Sequence, residues 1–224
     1  MHYLYRPSPA EELLVRGRYE VVDALGAHWA TEAWECYRNG GSPVQSWRSE
    51  WQEEAGTRLL THTVISPEAV ERLKMRLLTP GLPSHTITVT PMDDAVMVNN
   101  EGEISEIELP EGYGLFAPLP SLARLAFPFD LASEQREIGM VLLLRLYRTE
   151  RLYLRPVKFG YTALGLREFT VRSATLLGKG WRMEVPGLLS QEGWFDRNGT
   201  CLLWRVEEGS SAWEARLVEW IRFG

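Results

Sequence analysis

The sequence predicts an all-β protein, an antiparallel half-barrel or flattened barrel of about a dozen strands with one or two short helices. Three observations predict it. Residues 192–220 read as three strands of alternating side chains joined by turns at Asp196-Arg197-Asn198-Gly199 and at 207–211. The same two-residue period between Gly, Asn, Asp and Pro punctuation recurs along most of the chain. Helical periodicity is almost absent.

Composition bounds the rest. With 224 residues, 45% hydrophobic and 24% charged, the chain is globular and long enough for one large β domain. A formal charge of −6 and scattered cations argue against a nucleic-acid partner. Cys36 and Cys201 read as two buried thiols rather than a disulfide. The apolar run 140–144 is far too short to span a bilayer, and the first residues lack a secretory pattern. A cytoplasmic protein is therefore expected, neither membrane-spanning nor bound to a cofactor or metal.

Taken in order, residues 1–16 suggest a leader with a helical turn at 8–14, where Ser8-Pro9 resembles a cap and first turn. Strands follow at 18–23, 28–38, 44–51 and 58–65. Residues 66–78 fit both a helical stripe (Val70, Leu73, Leu77) and an alternating strand (Leu73, Met75, Leu77), and their neighbours favour the strand. Further strands fall at 86–90, 95–99 and 104–109. The proline-rich region 110–133 contains a short helix at 120–126. After it come strands at 142–146, 152–158, 166–173 and 180–185, then the terminal meander. Glycines 160–165 and 178–180 read as turns. One domain over 1–224 is expected, its halves at about 17–109 and 139–220 joined by the crossover 110–133.

Nine tryptophans are an unusual load. Each buries about 150–250 Å² and builds core readily. A long sheet must also close, stack or curl, and a curled one lined with such rings would hold an acyl chain or flat hydrophobe. Trp34, Trp47, Trp51, Trp181 and Trp204 are the lining candidates. Arg48, Arg155 and Arg182 fall on strands, and an arginine facing the hollow would pair with a carboxylate or phosphate headgroup.

No catalytic constellation is legible. The histidines at 2, 28, 62 and 85 lack metal-ligand spacing, although His28 and His62 could approach across strands. No nucleophile elbow or phosphate loop occurs. Glu32 and Glu35 point to opposite faces of one strand and cannot form an acid–base pair with each other. Glu50, Glu53 and Glu54 read as a solvated strand end, and Asp196 as a turn residue.

The run Leu152-Tyr153-Leu154-Arg155-Pro156, Gly160-Tyr161, Phe169-Thr170-Val171, Trp181, then Trp194-Phe195-Asp196-Arg197-Asn198-Gly199 before Leu202-Leu203-Trp204 resembles the C-terminal half of bacterial lipoprotein-carrier-like (LolA-like) proteins. It is also similar to a glycolipid-binding-like bacterial family. The resemblance covers about the last third of the chain, with Glu32-Ala33-Trp34 in the first half. It implies an unclosed β-barrel whose concave apolar face holds a lipid, with no catalytic residues. The expected partner is a hydrophobic small molecule or lipid, without enzymatic activity. The rival is an interaction protein that pairs, for instance as a homodimer, through its sheet edge or face.

Overall fold

The computed structural model describes residues 2–67, 69–109, 114–116, 119–125, 138–145, 152–185, 189–208 and 211–223. Its strands are β1 (Glu11–Asp23), β2 (His28–Asn39), β3 (Gln45–Glu53), β4 (Arg58–Ile65), β5 (Val70–Leu78), β6 (His85–Pro91), β7 (Ala95–Asn100) and β8 (Glu103–Glu108). After β9 (Gly114–Phe116) and a 3-10 segment (Pro120–Leu125) come β10 (Ile138–Arg145), β11 (Leu152–Val171) and β12 (Ala174–Val185). The chain finishes with β13 (Leu189–Phe195), β14 (Cys201–Glu208) and β15 (Ser211–Arg222).

All fifteen strands belong to one sheet, ordered from β8 back to β1, then from β15 down to β9. Every neighbouring pair is antiparallel except β9 with β10. That parallel pair cannot be joined by a tight turn, so the chain needs a crossover there. The stretch containing the 3-10 segment supplies it. β1 pairs with both β2 and β15, which seals the start of the chain to its end. The sheet ends at β8 and β9 and does not close. β6 and β11, far apart in strand order, approach one another, which flattens the half-barrel.

Alternation sorts the side chains into two faces. One inner row runs Leu77, Leu59, Trp51, Glu32, Tyr19 and Leu217 across β5 to β15. A second runs Ala30, Val21, Ala215, Trp204, Gly193 and Trp181 across β2 to β12. These rows form one buried apolar cluster with Leu119, Leu122 and Ala123 of the crossover, whose 3-10 segment sits against β2 and β14.

Hairpin chemistry recurs. Asp23, Glu53 and Asp196 each accept a bond from the glycine three residues on, and each of Gly26, Gly56 and Gly199 has a positive φ. This is a type I turn closed by a left-handed glycine. Asp196 Oδ1 accepts from the amides of Asn198 and Thr200 at 2.9 and 2.8 Å, so its role in the turn is as expected. Gly199, without Asn198, carries the positive φ.

Several boundaries differ from the expectation. The helical turn expected at 8–14 is a single turn from Ser8 to Glu11, where the Glu11 amide donates to the Ser8 carbonyl at 3.1 Å. β1 starts at Glu11 because β2 offers a ladder from Asn39 onward. Residues 70–78 are strand, as alternation indicated. The glycines read as turns at 160–165 and 178–180 lie inside β11 and β12. Gly165 marks a bulge with φ +88. At Gly180 a Cβ would collide with the Trp194 ring, so this glycine is there for close packing. Among the described residues the crossover holds the short helix at Pro120–Leu125, and its other expected features lie outside them.

Candidate functional site

β2 to β5 carry polar chemistry on both faces, and the two are built differently. On the inner face, Trp34 stacks between Trp47, with centroids 5.2 Å apart, and Tyr19, at 6.3 Å. Gly17 lies beneath Trp34, where a Cβ would come within 2.6 Å of the indole. Trp51 meets Trp29 and Trp213 edge-on at 5.5 and 5.8 Å. Trp181 and Trp204 continue the face on the other side of β1.

A fully buried carboxylate interrupts these rings. Glu32 is fully buried, and Ser121 of the 3-10 segment clasps it, the amide at 3.1 Å and the hydroxyl at 2.5 Å. Burial pushes the Glu32 carboxyl up to about 7, and the Ser121 bonds, which favour the anion, restrain the rise. Nearby, the Tyr19 hydroxyl donates to the Cys201 carbonyl at 2.9 Å, and burial raises the Cys201 thiol well above its usual range. Such a thiol is inert as a nucleophile.

The outer face bears a cross-strand row, Glu35, Arg48, His62 and Lys74, running from β2 to β5. Residues 2–7 lie over it. Arg48 is buried and donates to both Glu11 oxygens at 2.8 and 2.9 Å and to the Tyr5 carbonyl at 3.0 Å. Its guanidinium stands 4.7 Å over the Tyr37 ring. Glu35 accepts from the hydroxyls of Tyr3 and Tyr37, each at 2.6 Å. Burial and the Arg48 charge hold His62 down at about 4, and its Nε2 lies 2.7 Å from the Ser46 hydroxyl. Burial would raise Glu11, but the bonds from Arg48 and from the Ser8 amide, with the Arg48 charge, together keep its carboxyl low.

The structure therefore brings Trp34, Trp47, Trp51, Trp181 and Trp204 together but turns Arg48 and Arg182 to the other face. Arg48 follows Trp47 in the strand, so alternation turns it to the opposite face. Arg182 likewise points away from Trp181 and pairs with Glu192 at 2.5 Å. Arg155 lies on β11, with its side chain outside the described part. Glu32 and Glu35 do occupy opposite faces. His28 and His62 are separated by β3, and His28 pairs instead with Glu54 at 2.9 Å. Glu50 and Glu53, expected in solvent, are buried.

Sequence reasoning missed Ser121, Glu11 and the Tyr3/Tyr5 segment. The polar residues Glu35, Arg48, His62 and Lys74, each at an outward position of its strand, could have signalled an outer row. Nothing local marks Ser121 as a partner of Glu32. Among the described residues no group of three or more His, Cys, Asp or Glu could hold a metal ion, and no helix is long and apolar enough to cross a membrane.

A β-barrel-like protein of the domain of unknown function DUF1849 from Brucella abortus superposes with a TM-score of 0.56 at 10% identity, over 95% of this chain and 98% of that one. The fold is β-barrel-like. A putative lipoprotein from Parabacteroides distasonis aligns over 94% of this chain and 96% of that one at 7% identity, with a TM-score of 0.36, too low to carry an argument. No protein-family model matches the chain, and no curated protein matches it. The β-barrel-like likeness extends to the fold alone.

Proposed function

We propose that the chain is a single cytoplasmic domain that binds a hydrophobic ligand, a lipid or glycolipid, against the inner face of its sheet and catalyses no reaction. The observation that carries this reading is the build of that face. Its apolar rows run from β5 to β12, and among the described residues a six-residue 3-10 segment packs over them, clasped by Glu32 and Ser121. A ligand that replaced the segment would meet the rings of Trp34, Trp47 and Trp204. Burying apolar surface there would contribute about 25 cal/mol per Å².

Two further features support it. Cys36 and Cys201 are both buried, which suits a reducing compartment. The edge strand β8 exposes Glu103, Glu106 and Glu108, charges that discourage pairing with another strand and weigh against the edge-recruiting scaffold.

Native mass spectrometry of protein purified from cells tests the reading. A co-purifying lipid is expected. After delipidation, a brominated fatty acid should quench tryptophan fluorescence saturably. Bare protein from cells together with linear, unsaturable quenching would sink the proposal.

A further inference from the structure

Residues 2–7 are held in an unusual way. Among the described residues no backbone–backbone hydrogen bond ties them to the sheet, and they extend no ladder. They lie across the outer face of β2 to β5 and are gripped by side chains. Glu50 accepts from the His2 amide at 2.7 Å, and Arg48 donates to the Tyr5 carbonyl at 3.0 Å. Glu35 takes the Tyr3 hydroxyl at 2.6 Å. Tyr5 presents its ring edge-on to His62 at 5.1 Å and receives the Lys74 ammonium on its hydroxyl at 2.7 Å.

These contacts read a peptide. One carboxylate and one guanidinium take a backbone amide and carbonyl, and two further sites select tyrosines two residues apart. Charged partners make such bonds directional. Pro7 restricts the chain just before the turn at Ser8 and Pro9 restricts it within that turn, so the segment and β1 meet at a stiff joint. Short, stiff joints beside a docked segment favour exchange of that segment between copies.

We propose that the outer face of β2–β5 is a recognition groove for an extended Tyr-x-Tyr segment, filled here in cis by residues 2–7, and that a second copy of the chain supplies the same segment in trans. The second copy is the occupant because its segment reproduces every contact already seated. A phosphate on Tyr3 would face Glu35 and be refused, so the groove reads unmodified tyrosine.

The experiment uses two full-length variants. Tyr3→Ala/Tyr5→Ala removes the segment's anchors and leaves the groove. Glu35→Ala/Lys74→Ala disables the groove and leaves the segment, while sparing the buried Arg48–Glu11 pair. Circular dichroism establishes that both are folded, and light scattering after size exclusion reads the mass. Each variant alone should remain single. Their mixture should yield a two-copy complex, with at least about tenfold more of it than either variant forms by itself. A mixture of single chains at high concentration would overturn the proposal, as would equal dimerisation of each variant alone. A Glu50→Leu/Lys74→Ala groove, which loses the acceptor for the His2 amide, provides the same reading should Glu35→Ala unfold.

Discussion

The inner and outer faces of β2 to β5 share a backbone, yet they hold their buried groups by different physics. On the inner face, Trp34, Trp47 and Trp51 pack by shape, and the fully buried Glu32 is bonded by Ser121. On the outer face, Arg48 is just as buried but sits in a network of ions and tyrosines under residues 2–7. Alternation at a two-residue period permits this, since neighbours such as Trp47 and Arg48 never meet the same surroundings. The lesson is that burial alone does not mark a site's character. The partner that covers each face does.

The largest expected effect tests the inner face. Trp34→Ala should cost about 3–5 kcal/mol, because the ring is locked between Trp47 and Tyr19 over a glycine with no room to collapse. Urea denaturation reads it directly. Trp213→Ala, at a half-buried position, should cost clearly less. Equal losses at the two positions would mean that the inner rings are not the locked set described.

On the outer face, Arg48→Ala should also cost about 3–5 kcal/mol, by a different route: it strands Glu11 and the Tyr5 carbonyl without their cation. The contrast lies in rescue. Arg48→Met with Glu11→Leu should recover much of the loss, because an apolar pair replaces the ionic one. No second substitution does the same for Trp34→Ala. Failure of the double variant to recover would show that the tyrosines and residues 2–7 depend on the charge itself.

Titration separates the faces in sign. Glu32 titrates at about 7 in the folded protein against 4.5 when free, so its contribution is fully present below 4.5 and disappears as pH rises through 7. Such a displacement corresponds to on the order of 3 kcal/mol. His62 titrates at about 4 against 6.5, so its contribution is present above 6.5 and lost as pH falls through 4. Glu32 meets Ser121 and Ser49, with the Tyr19 and Cys201 groups beside it. His62 faces Arg48, Arg72, Lys74 and Glu11. Over the shared range the two slopes oppose each other. Relative to wild type, Glu32→Gln should therefore gain stability as pH rises from 5 to 7 (about 3 kcal/mol), and His62→Gln should lose it. Chemical denaturation across pH checks both, and parallel curves for the two variants would refute the assignment.

Much of the fold was legible because local rules decided it. Alternation placed β2, β4 and β7 nearly to the residue, and it decided 70–78 for strand against a competing helical stripe. The Asp-x-x-Gly at Asp196 was readable as a turn, and its repetition at Asp23 as well as Glu53-x-x-Gly56 shows it to be hairpin chemistry rather than a family signature. Most of what failed was non-local. Gly178 and Gly180 looked like punctuation because the rings that need their missing Cβ atoms lie on other strands, Phe169 and Trp194. The arginines were grouped with the tryptophans by residue type, where applying alternation to Trp47-Arg48 and Trp181-Arg182 would have separated them. Ser121 is 89 residues from Glu32, and no pattern links them.

The smallest expected effect concerns the outer face away from residues 2–7. There Arg182, Glu192, Arg205 and Glu214 pair across β12 to β15, and Arg216 adds to Glu214. This row resembles the one around Arg48 in sequence but is largely open to water, with the Arg205 side chain 42% exposed. Exposed pairs contribute about 0–1 kcal/mol and are screened by salt. Arg205→Ala should thus cost less than about 1 kcal/mol at low ionic strength, and less again in 1 M salt. Arg48→Ala should keep most of its cost under the same salt, because residues 2–7 shield its pair. If salt relieved both variants alike, the cover over Arg48 would not exclude solvent, and the difference between the two outer rows would be one of sequence only.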